Sequence, residues 1–179
     1  GYSRIISVFY GVRTECTIFV PVNEQVEIRD IVITNISSEP QEIDVIPVIE
    51  YTHFDAVKQF TNADWVPQTM VSRCHTDQQN TRVLIQYPFM CRDFKVNYFT
   101  SNYPVSSFES DRKRFLGENE YGTWAHPLAL DKDELGNYEA NRGDNIAALL
   151  HHLGVIAPGG VKRIITQLGQ EESLQKATP

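Results

Sequence analysis

Apolar and polar residues alternate along most of the first half of the chain. Over 12–21, Val12, Thr14, Cys16, Ile18 and Val20 fall on one face and Arg13, Glu15 and Thr17 on the other. That period of two marks a strand with one buried face. Residues 4–10 form an extended segment before it, broken at Gly11. After a polar turn at 23–25, the segment 26–36 puts Val26, Ile28, Asp30, Val32 and Thr34 on one side; the SSEP run at 37–40 closes it and a strand over 43–49 follows. Connections this short do not make parallel crossovers, so the pattern predicts antiparallel pairing.

Further on, 69–75 and 81–87 read as a hairpin around 77–80, and 94–100 alternates again through Phe94, Val96 and Tyr98. Residues 146–155 and 161–168 flank the turn Pro158-Gly159-Gly160. The Ala147-Ala148-Leu149-Leu150 run has helical propensity, but it is short and joined by a tight turn to a clear strand, so a closing hairpin is predicted. The stretch 107–116, SFESDRKRFL, opens on Ser and ends at Gly117, which suits a helix of two turns anchored by Phe115 and Leu116. Residues 118–145 are irregular, punctuated by Gly122, Pro127, Gly136 and Gly143. The sum is an all-β, antiparallel β-sandwich with a short helix near 108–116. The domain is expected over 1–169, with 170–179 starting a linker.

Composition agrees with a folded domain and narrows its partners. The 179 residues are 41% hydrophobic and 22% charged, enough for one sizeable domain. Against 23 acidic residues stand 16 Lys and Arg, a formal charge of -7, so no basic patch is expected for nucleic acid. Apolar runs fall well short of the roughly 20 residues of a membrane helix, and no membrane partner is expected. Three widely spaced cysteines, Cys16, Cys74 and Cys91, argue against a disulfide framework and for a reducing, cytoplasmic setting. Cys74 and His75 are adjacent and would point to opposite faces of a strand, so no metal site is expected.

Candidate chemistry concentrates in 42–70, which leaves the strand at Glu50 and becomes dense in Tyr51, His53, Phe54, Asp55, Lys58, Asn62, Asp64 and Trp65. Loops on a rigid sheet carry recognition, and an aromatic face beside carboxamide and carboxylate groups suits sugar hydroxyls. Asn62, Asp64, Trp65 and His53 are therefore the candidate sugar-binding residues. The same letters also suit a connection whose aromatics close the core. Asp55, Asp64, Glu109 and Asp111 are carboxylates of the kind glycosidic chemistry uses, although acidic loop residues are more commonly just solvated. The Arg112-Lys113-Arg114 run has the chemistry to bind an anion, yet pairs such as Glu109 with Lys113 account for it locally. His151 and His152 would occupy opposite faces of one strand, with neither given a ligand role. No GxSxG elbow, phosphate loop or HExxH is present.

Several short motifs carry a resemblance. Gly1-Tyr2-Ser3-Arg4, Gly11-Val12-Arg13-Thr14-Glu15, Phe19-Val20-Pro21, Val26-Glu27-Ile28 and Ile33-Thr34-Asn35 begin it. It continues through Glu50-Tyr51, Asp55-Ala56, Ser110-Asp111-Arg112, Phe115-Leu116-Gly117, Gly143 to Leu149 and Ala157-Pro158-Gly159. In that order the set resembles the N-terminal β-sandwich of the inverting phosphorylases of glycoside hydrolase family 94, which include cellobiose, laminaribiose, chitobiose and cellodextrin enzymes. The resemblance implies a supersandwich-like domain, truncated at its start, of a parent enzyme that converts a β-linked glucoside and inorganic phosphate into α-glucose 1-phosphate and a free sugar. No cofactor is implied beyond phosphate as co-substrate, and no phosphate-binding residue is assigned in this chain. The general-acid aspartate would belong to a separate (α/α)6 barrel, so the chain alone would have no catalytic residue and be inactive. The domain would brace a homodimer and send a loop toward the neighbouring subunit's active site. There a Gln-Arg pair after a Thr-Asn-aromatic triplet contacts the acceptor sugar; here Thr61-Asn62 is kept while the two functional positions read as Asp64 and Trp65. The partners implied are a β-linked gluco-oligosaccharide or disaccharide and the parent's helical domain. The competing expectations are a stand-alone carbohydrate-binding module and a purely structural sandwich.

Overall fold

The computed structural model describes residues 1–51, 70–76, 81–88, 95–118 and 123–172. Its strands, in chain order, are β1 (Tyr2–Phe9), β2 (Val12–Phe19), β3 (Val26–Asn35), β4 (Gln41–Val45), β5 (Val48–Glu50), β6 (Met70–Thr76), β7 (Arg82–Pro88), β8 (Val96–Ser101), β9 (Ser107–Asp111), β10 (Asn145–Ile156) and β11 (Val161–Glu171). A one-turn helix, α1 (Arg112–Leu116), follows β9, and a 3-10 turn spans Leu128–Asp131. All the strand ladders are antiparallel, and the all-β sandwich expected from the alternation is what forms. Residues 77–80, 89–94 and 173–179 lie outside the described residues, and with them the expected turn, Cys91, Phe94 and most of the expected linker.

The larger sheet has the order β1-β2-β3-β11-β8-β7-β6. Its first hairpin turns at Tyr10 (φ 45°) and Gly11 (φ 78°), two consecutive left-handed residues of the kind a two-residue type I′ loop requires. The smaller sheet centres on β10, with β9 on one edge and β4 and β5 end to end along the other. Pro47 separates β4 from β5 because it has no N–H to give the ladder. Its carbonyl still accepts Leu149 N at 3.3 Å, and the register carries through.

Burial places β10 at the centre of the molecule. Ala147 and Leu149 pack with Leu84, Phe99 and Phe108 between the sheets, while Ile146, Ala148 and Leu150 face Phe115, Leu116 and Ala129 on the other side. A strand covered on both faces reads as a continuous apolar run, which is why its letters resemble a helix. Farther along, Leu153 and Ile156 meet Ile31, Ile33 and Ile164, with Val12 and Cys16 packed against them. In β3 the buried set is thus Ile31, Ile33 and Asn35, the phase opposite to Val26, Ile28 and Val32.

Two expectations need correction. The closing hairpin does not exist, because β10 pairs with β4, β5 and β9 while β11 lies between β3 and β8 in the other sheet. The Pro158-Gly159 turn is a corner between layers, as is the 36–40 link from β3 to β4. The helix near 108–116 is also shorter than predicted, since 107–111 is strand. Its two serines find distant partners: Ser107 Oγ accepts from Leu135 N at 2.8 Å, and Ser110 Oγ donates to Tyr138 O at 2.7 Å. Asp111 then caps α1 by accepting from Arg114 N at 2.9 Å, and Gly117 (φ 95°) ends it. So short a helix has little stability of its own; buried Phe115 and Leu116 hold it to β10.

Candidate functional site

His53, Asn62, Asp64 and Trp65 all fall within residues 52–69, outside the described residues. What is described is the pair of roots from which that segment leaves and returns. Both are tied to Asn145, the first residue of β10, which is almost wholly buried. Its carbonyl accepts from Tyr51 N at 3.4 Å, and its Nδ2 donates to Met70 O at 3.3 Å and Gly143 O at 2.8 Å. Ser72 Oγ donates to its Oδ1. Tyr51 anchors the outgoing root a second time, donating its hydroxyl to Leu84 O at 3.2 Å, and burial pushes its phenol far above the ordinary range.

Beside the outgoing root stands a cluster that the motif reading did not bring together, and whose tryptophan it did not single out. Glu50 Oε1 accepts from Arg112 Nε at 2.7 Å and from Trp124 Nε1 at 3.0 Å. The Arg112 guanidinium lies 5.8 Å from the Trp124 ring centre, and Trp124 is 40% exposed while leaning on Phe115. An exposed indole with a carboxylate on its N–H and a guanidinium over its ring shares with the chemistry sought in Trp65 an aromatic group beside a carboxylate. The signal available in sequence was a second tryptophan in a polar, irregular stretch, with no local pattern linking it to Glu50.

The basic run is satisfied by carboxylates, though not by the intrahelical Glu109–Lys113 pair. Arg112 binds Glu50, Lys113 binds Glu118 at 3.1 Å, and Arg114 reaches Glu109 at 3.4 Å. Glu109 is buried, and desolvation raises its carboxyl above the usual range even though Asp111 N, Arg114 and Ser110 N all favour the ionised form. Glu109 and Asp111, two of the four carboxylates considered for acid chemistry, are thus a buried acceptor and a helix cap; Asp55 and Asp64 lie outside the described residues.

Residues 137–140 form a strap over this region. Asn137 N donates to Phe108 O at 2.8 Å, Ala140 N to Ser110 Oγ at 2.9 Å, and Ser72 N to Ala140 O at 2.8 Å, joining the β9 edge to β6. Two clefts flank it. One, of about 230 Å³, is bounded by Glu109, Lys113, Arg114 and Lys132; the other, of about 490 Å³, by Arg82, Phe108, Tyr138 and Glu139. Gly136 borders both, and a Cβ there would lie 2.7 Å from Glu109 Oε2 and 2.9 Å from Arg114 Nη2.

The two histidines of β10 separate as their alternation requires. His151 is buried, its Nδ1 donating to Pro104 O at 2.8 Å, and burial lowers its basicity. His152 lies between two carboxylates, with Nδ1 2.8 Å from Asp44 Oδ1 and Nε2 3.1 Å from Glu134 Oε1. Both contacts are donations only when both ring nitrogens carry protons. The Asp44 and then the Glu134 hydrogen bond raise its pKa above 6.5. The stabilisation is therefore full below the unfolded value and is lost as pH rises through the folded one. It is modest, because all three side chains are substantially exposed. An NMR titration is expected to place His152 above 6.5 and Asp44→Asn to lower it; a wild-type midpoint at or below 6.5 would refute the double donation.

Compared with known proteins, the whole chain, residues 1–179, matches the family model described as glycosyl hydrolase 94, supersandwich domain. Two N,N'-diacetylchitobiose phosphorylases are similar to it. That of Vibrio proteolyticus is 27% identical over 184 residues, and that of Vibrio furnissii 25% identical over 170. Each alignment covers 94% of this chain and 20% of the relative, so the chain spans about a fifth of the length of the curated relatives it matches. Among solved structures, a polysaccharide lyase superposes with a TM-score of 0.61 at 9% identity, covering 97% of this chain and 22% of its own. A bacterial glucoamylase complexed with acarbose superposes at 0.54 and 12% identity, covering 98% and 23%. At those identities the likeness is one of fold.

Proposed function

The chain belongs to the glycosyl hydrolase 94 supersandwich family, and from that membership we propose that it is the non-catalytic sandwich of an inverting carbohydrate phosphorylase. The observation that carries the proposal is the family match along all 179 residues, together with Tyr51 and Met70, the two ends of the 52–69 segment, held on Asn145. In this reading phosphate attacks the anomeric carbon of a β-linked sugar from the face opposite the leaving oxygen. An aspartic acid of a helical barrel protonates that oxygen, giving an α-sugar 1-phosphate and a free acceptor. The residues of this chain make and break no bonds. Their part is to hold the 52–69 segment toward the acceptor, with Asn62, Asp64 and His53 addressing hydroxyls and Trp65 offering a stacking face.

The same reading makes the parent a homodimer braced by this domain and working in the cytoplasm, in keeping with three widely spaced cysteines. The substrate is a β-linked disaccharide or short oligosaccharide. Glucosides are the first choice, with N,N'-diacetylchitobiose included because the two relatives are named for it.

The test is phosphorolysis by the intact protein of cellobiose, laminaribiose and N,N'-diacetylchitobiose, with detection of the sugar 1-phosphate. Trp65→Ala is expected to raise KM for the acceptor in the synthetic direction by about tenfold, with kcat little changed. Loss of folding without a selective effect would instead assign Trp65 to packing, and release of no sugar 1-phosphate from any β-glycoside would refute the phosphorylase reading. A stand-alone binding module would bind these sugars without turning them over.

A further inference from the structure

The cleft of about 490 Å³ beside the strap is built rather than incidental. Asn137 sits at φ 48°, a left-handed conformation that asparagine tolerates better than most residues. Its Oδ1 accepts from Phe108 N at 3.1 Å and from Arg82 Nη1 at 3.1 Å. Arg82 is thereby fixed with its guanidinium 5.9 Å from the Phe108 ring centre, and most of its five donors have no partner among the described residues. Glu139, which lines the same cleft, is held by Cys74 N at 2.8 Å from Oε1, while its Oε2 stands 4.0 Å from Arg73 Nε. Tyr138, 38% exposed, has its ring steadied by the Arg114 guanidinium 4.3 Å from its centre.

The lining therefore holds one fixed cation, one fixed anion, a buried phenyl ring in Phe108 and the more exposed ring of Tyr138, with Thr76 adding a hydroxyl. An anionic ligand would meet Glu139 and a cationic one Arg82. A neutral ligand whose groups both donate and accept satisfies the two at once, and a ring with an apolar face suits the tyrosine. The volume lies within the range of about 300–1,000 Å³ typical of small-molecule sites. We propose that the cleft between Arg82, Tyr138 and Glu139 binds a neutral sugar, with hydroxyls bridging the guanidinium and the carboxylate. That the sugar is a β-linked disaccharide rests on the phosphorylase reading; that it is neutral and polyhydroxylated rests on the cleft.

Crystals of the intact protein soaked in cellobiose or N,N'-diacetylchitobiose are expected to show a sugar ring against Tyr138 with hydroxyls on Arg82 and Glu139. In solution, Arg82→Lys keeps the charge but loses the planar fork, and it is expected to weaken binding of the same sugars by about tenfold. Tyr138→Ala supplies a second variant should the first perturb folding. Only water in the cleft at saturating sugar, or affinities unchanged in both variants, would overturn the proposal. Phosphorolysis measured on the same samples separates the two readings. Turnover without sugar in the cleft sinks this inference alone, whereas sugar in the cleft without turnover of any β-glycoside sinks the phosphorylase reading alone.

Discussion

Asn35→Ala is expected to destabilise the fold by roughly 2–4 kcal/mol, because a single buried carboxamide holds both corners that pass between the sheets. Asn35 is fully buried. Its Nδ2 donates to Ile156 O at 2.8 Å and Glu39 O at 2.7 Å, and its Oδ1 accepts from Ser37 N at 2.9 Å and Ser37 Oγ at 2.7 Å. Its backbone joins the second corner, receiving Gly159 N at 2.8 Å and donating to Gly160 O at 3.1 Å. Alanine leaves the buried Ile156 carbonyl without that partner, and an unmade buried hydrogen bond costs more than a made one contributes. Asn35→Asp is expected to be worse, since it sets a carboxylate oxygen against two carbonyls. Ser37→Ala, which removes a half-buried hydroxyl and leaves Asn35 Oδ1 its bond from Ser37 N, is expected to cost about 1 kcal/mol. Denaturant titration checks the series, and the matching fall in Tm is roughly 4–16 °C for a chain of this size. An Asn35→Ala variant within about 0.5 kcal/mol of wild type, the scatter of ordinary surface substitutions, would show that the corners are held by something else.

Asn145→Ala tests the other junction and reaches function. It removes donors to Met70 O and Gly143 O and the acceptor of Ser72 Oγ, while the backbone contact from Tyr51 N survives. The expected cost is about 1–3 kcal/mol, localised at the returning root of 52–69. Limited proteolysis is expected to cut within that segment faster than in wild type, since cleavage tracks local opening. In the intact protein the acceptor KM is expected to rise with the donor-sugar KM unchanged. Asn145→Asp keeps the acceptor for Ser72 but loses both donors, so it should resemble alanine if the Met70 contact matters. Unchanged proteolysis and an unchanged acceptor KM in a folded variant would detach this residue from the proposed role of the loop.

Much of the fold was legible in the chain because alternation is local. Val12, Thr14 and Cys16 against Arg13 and Glu15 announce a strand whatever packs on it, and Gly11 announces a turn. The candidate site was legible only as composition: His53, Asn62, Asp64 and Trp65 are dense in recognition chemistry, yet their roots are organised by Asn145, which no motif in 42–70 reveals. Trp124 went unnoticed for a related reason, since its partner Glu50 lies 74 positions away.

What the sequence alone determined was most of the strand content, β9 excepted, the antiparallel sense and, through a dispersed set of short motifs, the family, all of which depend on periodicity and residue identity. What only the tertiary structure decided was which strands share a sheet. A two-residue turn such as Pro158-Gly159 reads alike whether it closes a hairpin or turns a corner. The choice was made by β10, whose two apolar faces could both be buried only between the larger sheet and α1, leaving β11 to pair with β3 and β8.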